Sequence, residues 1–365
     1  MSNVPKYEQI KRYIKTLIEN GSYKPDDQIA SEKELAKTFN ASRETVRKAL
    51  DKLSFEGYLY KIQGVGTFVS SLLNGNHGNK SKSEKIGIIL PISHEYLSFE
   101  ILSGIEKAYH NTQYEPFVQF IDSNPSIINL KMKYIFSAEP KGFIILPTKE
   151  LIEDRNFKEL LKTNTPLVFV DKTINDIKKP IVQSDNYNGA YQITEETIKK
   201  FGINSAMFFS AEEFCISSVR ERYNGMADAC NRYNIPVYKE IVGKTEIDKA
   251  INKCLKYHVD TIFCANDIVA ISTLTALQVR GLSVPQKIKL YGFDDRPISE
   301  NIYPKLTTVR QPFKEIGEVA AKYLTSIIEG KQENKYMKIT LPVEIVWRDS
   351  VGNNLQTNLR RDKDE

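Results

Sequence analysis

The sequence predicts an α/β protein in two parts: a small winged helix-turn-helix, then two lobes built on doubly wound parallel sheets. Three observations carry that reading. The whole net charge of +5 sits in the first 85 residues, which hold 15 Lys and Arg against 10 Asp and Glu, while the rest of the chain balances at 36 of each. Within this basic end, two helical periods joined by a turn of about three residues are followed by a β-rich run split by glycines. Beyond it, short continuous apolar runs recur, each closed by a polar or Gly/Pro turn, which is the pattern of strands covered on both faces. At 365 residues the chain exceeds one ordinary core. Its 41% hydrophobic and 27% charged content places it among globular proteins.

The first helix is predicted over Tyr7 to Ile18, where Tyr7, Ile10, Ile14, Leu17 and Ile18 recur at helical spacing, and "NGSYKPDD" at 20–27 ends it. A second opens at Ser31, where "SEKE" sets Glu34 three residues after a serine cap, and it turns Leu35, Ala36 and Phe39 inward. It breaks at "NAS". The third helix starts with Ser42 as its cap and reads "ASRETVRKAL", with Val46, Ala49 and Leu50 in the apolar register and Arg43, Arg47 and Lys48 supplying the charge. "QGVGTFVSS" then forms a hairpin, the wing.

In a helix-turn-helix the start of the second helix enters the major groove, and Arg43 and Arg47, one turn apart, share a face that can reach it. The planar arginine fork grips guanine or clamps phosphate, and the hydroxyls of Ser42 and Thr45 add short donors. A basic helix alone is an ordinary solvated face. The capped helix before it, the wing and the charge asymmetry together point to double-stranded DNA.

From Tyr7 to Val69 the chain resembles the winged-helix DNA-binding domain of GntR-type bacterial repressors, through the S-E-x-E-L helix start, the S-R-x-T-V-R-x-A-L recognition helix and the Q-G-x-G-T-F-V wing. The resemblance implies that Lys33, Arg43 and Arg47 contact the operator and that Gln63 and Gly64 at the wing tip approach the minor groove. Close backbone approach to DNA in a tight hairpin favours glycine at 64 and 66. One such helix reads only a few base pairs, so a homodimer on a palindromic operator is expected.

Residues 71–85, "SLLNGNHGNKSKSEK", are polar, Gly/Asn/Ser-rich and aperiodic, and predict a flexible linker after a 1–70 head. From Ile86 the runs "KIGIIL", "GFIILP", "PLVFVD", "INSAMFFS", "DTIFCAND" and "KIKLYGFDD" predict six strands over 86–350, too many for one flavodoxin-sized unit, with a polar tail at 351–365. Ligands of such sheets bind where strands end, so the residues just after each run are the candidates.

This body resembles the effector domain of LacI-type repressors, itself similar to periplasmic sugar-binding proteins, through "SSVRERYNGM", "CANDIVA", "LYGFDD" and "LTTVRQPF". A GntR-type head on this body, with "LPTKE" at 146–150, resembles the bacterial arabinose repressors from end to end. The resemblance implies that Arg222, Asn266, Asp294, Asp171 and Gln311 hydrogen-bond a sugar, with Tyr96 and Lys149 at the rim. Sugar hydroxyls both donate and accept, so carboxylates, amides and a guanidinium suit them. Plain structural roles stay open: Asp294 and Asn266 as helix caps, Arg222 paired with Glu221. The single Trp347 lies in the late run "PVEIVWRD", away from these stretches, which leaves the sugar unspecified.

Other classes find little support. There is no G-x-x-x-x-G-K-[ST] loop, G-x-S-x-G elbow or metal-ligand cluster, and "GVG" at 64–66 is too short for a nucleotide loop, so an α/β sugar kinase is the weaker alternative, along with a DNA binder that ignores ligands. Cys215, Cys230, Cys254 and Cys264 form no C-x-x-C pair and read as core residues. His77, His94, His110 and His258 have no ligand spacing, and neither a metal nor a cofactor is expected. No signal-like segment opens the chain and no window nears the roughly 20 apolar residues of a membrane span, so a cytoplasmic protein is expected.

Overall fold

The computed structural model describes residues 5–24, 26–55, 58–62, 66–70, 84–243 and 246–352. They fall into two compact units that divide after residue 83.

In the head, α1 (Lys6–Glu19), α2 (Glu32–Thr38) and α3 (Arg43–Phe55) precede a hairpin of β1 (Leu59–Ile62) and β2 (Gly66–Val69), paired antiparallel. Ser31 caps α2 as expected: its Oγ accepts from Glu34 N at 3.3 Å, and the Glu34 carboxylate accepts from Ser31 N at 2.8 Å. Ile10, Ile14, Leu35, Val46, Ala49, Leu50, Leu53, Leu59 and Val69 are all buried and make one core. β2 also bridges Gln28 ahead of α2, which ties the wing to the helices.

The body has two lobes. β3 (Glu84–Pro91), α4 (Glu95–Tyr109), β4 (Tyr114–Ile121), α5 (Pro125–Ser137), β5 (Gly142–Ile145), α6 (Lys149–Glu153), α7 (Arg155–Lys162), β6 (Leu167–Val170) and β7 (Ile181–Ser184) build the first. The chain then crosses into the second: α8 (Asn186–Phe201), β8 (Ala206–Ser210), α9 (Ser217–Arg232), β9 (Val237–Ile241), α10 (Ile247–Lys256), β10 (Thr261–Cys264), α11 (Asp267–Val279), β11 (Lys289–Tyr291) and β12 (Thr308–Arg310). α12 (Phe313–Ile328) and β13 (Lys338–Leu341) return to lobe 1, and β14 (Glu344–Val346) ends on β12. The sheets run β13-β7-β6-β5-β3-β4 and β11-β10-β8-β9, parallel throughout. Each lobe therefore winds outward in both directions from its first strand, β3 or β8, and the crevice beside that strand's carboxyl end is where such sheets hold ligands.

All six apolar runs are strands. β3, however, begins at Glu84, two residues inside the stretch that composition assigned to the linker, because Glu84 N donates to Gln113 O and the pairing with β4 starts there. Val351, placed at the head of the polar tail, is instead buried in the core. Residues 71–83 and 353–365 lie outside the described residues. Cys230, Cys254 and Cys264 are buried and Cys215 is half-buried; burial pushes the Cys230 and Cys254 thiols up to about 12, which suits inert core groups. Among the described residues no helix is long and apolar enough to cross a membrane.

α9 and α8 pack closely because residue 225 is glycine: a Cβ there would overlap the Tyr187 carbonyl oxygen. Gly225→Ala is therefore expected to force the helices apart, costing about 1–3 kcal/mol of stability in urea unfolding. It also displaces Arg222, one turn earlier on α9.

Candidate functional site

On the head, α3 turns Val46, Ala49 and Leu50 into the core and leaves Arg43 and Arg47 exposed on one side. Ser42 Oγ accepts from Thr45 N at 3.2 Å and lies 2.8 Å from Thr45 Oγ1, so the cap is made and the two hydroxyls satisfy each other. Arg47 is not free. Its Nε and Nη2 donate to both carboxylate oxygens of Glu32 on α2, at 3.4 and 3.2 Å, which raises its pKa and orients the fork along α2. Lys48, counted among the basic groups, instead covers the Tyr7 ring at 4.8 Å. Lys33 is exposed on α2. Gln63 and Gly64 lie outside the described residues.

In the body, Arg222, Asp294, Asp171 and Gln311 meet as buried side chains, each 3–5% exposed. Arg222 stacks 3.9 Å above the Phe293 ring, and its Nε and Nη1 donate to Asn186 Oδ1 at 2.8 Å and Ala265 O at 2.7 Å, which fixes the guanidinium plane. Nη1 stands 3.7 Å from Asp294 Oδ1. The Glu221 pairing does not form, since Glu221 accepts from Gln183 and Lys338 instead. Asp294 caps no helix: it accepts from Gln311 Nε2 at 2.6 Å and Arg296 Nε at 3.4 Å. Burial raises its carboxyl, Arg222 and Arg296 pull it down, and Asp171 adds to the rise.

Asn266 does cap its helix, its Oδ1 accepting from Val269 N at 3.0 Å at the start of α11. Asn266→Ala is expected to cost about 0.5–2 kcal/mol of stability and Asn266→Asp much less, read as shifts in urea midpoint.

Asp171 follows β6 with φ at +68°, in the left-handed region, where a non-glycine residue needs its surroundings to hold it. Two buried acceptors, Asp171 Oδ1 and Gln311 Oε1, have no hydrogen-bond partner. Tyr96, on α4, sets its ring edge-to-face on Phe313 and 5.7 Å from the Arg296 guanidinium. Lys149 opens α6 and pairs with Glu213 of the other lobe at 2.5 Å. The cluster is thus drawn from both lobes and offers fixed donors beside unpaired acceptors, the complement of a polyhydroxylated molecule. Two surface cavities, of about 740 Å³ beside Gln278 and Tyr303 and about 680 Å³ beside Pro125 and Arg155, touch none of Arg222, Asn266 and Asp294.

Sequence reasoning missed the supporting residues. Asn186 and Phe293 hold Arg222. Asp267 accepts from Thr308 Oγ1 at 2.6 Å, Ser299 Oγ at 2.7 Å and Arg296 N at 2.8 Å, pinning the loop that carries Asp294. Burial, with Asp294 nearby, raises the Asp267 carboxyl to about 7. Its place at the end of "AND", on the first residue of a helix, was the one available signal.

Residues 6–69 match the family model described as bacterial regulatory proteins of the gntR family, and residues 197–351 match the periplasmic binding protein-like domain. The chain is 31% identical to the arabinose metabolism transcriptional repressor of Geobacillus stearothermophilus, over 95% of this chain and 98% of that one. The chain belongs to the arabinose metabolism transcriptional repressor family. A second member, from Halalkalibacterium halodurans, is 27% identical over 90% of this chain and 91% of its own length. A LacI family regulator from Enterococcus faecium, solved with bound ribose, shares the fold at a TM-score of 0.60 and 23% identity, covering 74% of this chain and 99% of that one. As a member of the arabinose repressor family, the protein is a DNA-binding transcriptional regulator, with its winged helix-turn-helix on residues 6–69 and its ligand-type fold beyond.

Proposed function

We propose that this repressor binds a palindromic operator as a homodimer and releases it when a neutral monosaccharide, arabinose or a related pentose or deoxysugar, closes the two lobes. The carrying observation is the pair of buried, unpartnered acceptors, Asp171 Oδ1 and Gln311 Oε1, beside the fixed Arg222 guanidinium. A buried acceptor without a donor costs about 1–3 kcal/mol, and sugar hydroxyls remove that cost while accepting from arginine. Asp294 stands beside both Arg222 and Arg296, with the Asp171 and Asp267 carboxyls acting on it, so a neutral polyhydroxylated molecule meets donors and acceptors together there. The names of the two relatives and the ribose in the Enterococcus faecium structure agree with a pentose.

Dimerisation through the body is supported by apolar side chains on both lobes: Leu130 and Tyr134 on α5 are 67% and 57% exposed, and Val279 on α11 is 84% exposed. The head then contacts DNA through Lys33, Ser42, Arg43, Thr45, Arg47, Gln63 and Gly64. In this reading the protein acts in the cytoplasm, where its operator lies, and works by binding, not by catalysis. The test is operator binding measured with and without L-arabinose, D-xylose, L-fucose and D-ribose. One of them is expected to lower affinity about 5- to 150-fold. At about 100 times its dissociation constant the same sugar is expected to stabilise the protein by roughly 2.7 kcal/mol. Affinity unchanged by all four would refute the reading.

A further inference from the structure

The connection from β6 to β7, residues 171–180, begins at Asp171 and is laced to the other lobe. Thr173 N donates to Ser217 Oγ at 2.8 Å, Ser217 N to Thr173 O at 2.9 Å and Asn175 N to Cys215 O at 3.1 Å, while Ile174 and Ile216 form an antiparallel bridge. Beside this lacing Lys172, with a side chain 4% exposed, donates to Glu212 Oε1 at 3.0 Å and stands 3.3 Å from His94 Nε2. His94 Nε2 is itself 3.6 Å from the same carboxylate oxygen. At the rim Lys149 pairs with Glu213, and Arg220 with Asp176.

The Lys172–Glu212, His94–Glu212, Lys149–Glu213 and Arg220–Asp176 pairs and the Thr173–Ser217 and Asn175–Cys215 bonds each join a lobe 1 group to a lobe 2 group, while the Lys172–His94 contact lies within lobe 1 and supports them. Burial alone would raise the Glu212 carboxyl, yet the Lys172 ammonium and His94 more than offset it and hold Glu212 well below the ordinary carboxylate range. The left-handed backbone of Asp171 is flanked by bonds within lobe 1, Asp171 N to Val182 O at 2.9 Å and Lys172 N to Val170 O at 2.8 Å, and the lacing to lobe 2 starts with the next side chain, Lys172.

We propose that Lys172 and Glu212 are a positioning pair for effector binding: their ion pair, braced by His94, straps residues 171–180 to lobe 2 and thereby sets the Asp171 carboxylate in the closed cleft. The proposal rests on the cleft being the effector site. A salt bridge that exists only in the closed form adds to the ligand's preference for that form, and only such a difference between states shifts the equilibrium. Parting the lobes exchanges the ion pair for water on both groups, so the pair favours closure by its attraction less the cost of drying the two charges.

The test uses the full chain with Glu212→Gln, Lys172→Met, the double variant, and Lys149→Gln at the exposed rim as a variant with little folding risk. The first readout, which needs no sugar, is amide hydrogen exchange at Asn175 and Ser217. Glu212→Gln and Lys172→Met are each expected to speed it, the double variant no more than either single, and Lys149→Gln more weakly. The second is the L-arabinose midpoint for operator release, expected to rise about 5- to 150-fold in Glu212→Gln with full release still reached at saturation. Unchanged exchange in both single variants, or effects that add in the double, overturns the proposal. Loss of all arabinose binding at saturation also overturns it, because Lys172 and Glu212 would then be ligand contacts. If no sugar moves the wild type off its operator, the function proposed above falls, and the exchange result alone decides for or against the strap.

Discussion

Arg222→Met is expected to leave operator binding at the wild-type level and to abolish its response to sugar. The guanidinium is held by Asn186, the Ala265 carbonyl and the Phe293 ring, and its Nη1 also stands 3.7 Å from Asp294 Oδ1. Removing one partner of a buried charge pair costs about 3–5 kcal/mol. Gln311 and Arg296 still donate to Asp294, so the loss should fall at the lower end of that range. Urea unfolding measures it, and sugar-induced thermal stabilisation and sugar-dependent operator release measure the function. In the double variant Arg222→Met/Asp294→Asn the stability loss should be smaller than the two single losses added, since the stranded carboxylate has gone. A sugar response that survives in Arg222→Met, Asn266→Ala and Asp294→Asn alike would mean that the pocket lies elsewhere.

Arg47→Ala and Arg43→Ala are each expected to lower specific operator affinity about 5- to 150-fold, the range for losing a bidentate base contact. Non-specific affinity should fall less, and the salt dependence should flatten by about one phosphate-equivalent only if the arginine holds backbone rather than base. Arg47 must leave Glu32 or share its fork to reach a base, so the measured loss includes that exchange. Competition titrations with scrambled DNA at several salt concentrations separate the two. Wild-type affinity in both variants would remove the recognition-helix assignment.

Local chemistry made much of this legible. The capping box at Ser31 and Glu34 and the buried face of α3 depend on neighbours within one turn, and both are where spacing placed them. The six continuous apolar runs are β3, β5, β6, β8, β10 and β11, of which β5, β6, β8 and β10 are buried along their whole length. The strands that went unread have weaker or mixed patterns. β4 and β9 are sheet edges: β4 mixes exposed with buried positions, and β9 has no buried residue. β13 alternates as "KITL" with no buried residue, and β7 is only "IVQS", a strand because β6 and β13 flank it.

The sequence by itself determined the two-part architecture, the basic recognition helix and the residue types gathered at strand ends, because periodicity, capping and charge are properties of residues near one another in the chain. Only the tertiary structure decided who partners whom. Arg222 takes Asn186 and the Ala265 carbonyl, 36 and 43 residues away, and not its neighbour Glu221. Lys172 meets Glu212 across the cleft, and Glu32 claims Arg47 from the preceding helix. Burial makes such choices binding, since a charge removed from water must find its partner wherever the fold brings one within reach, and that distance in space is not written in distance along the chain.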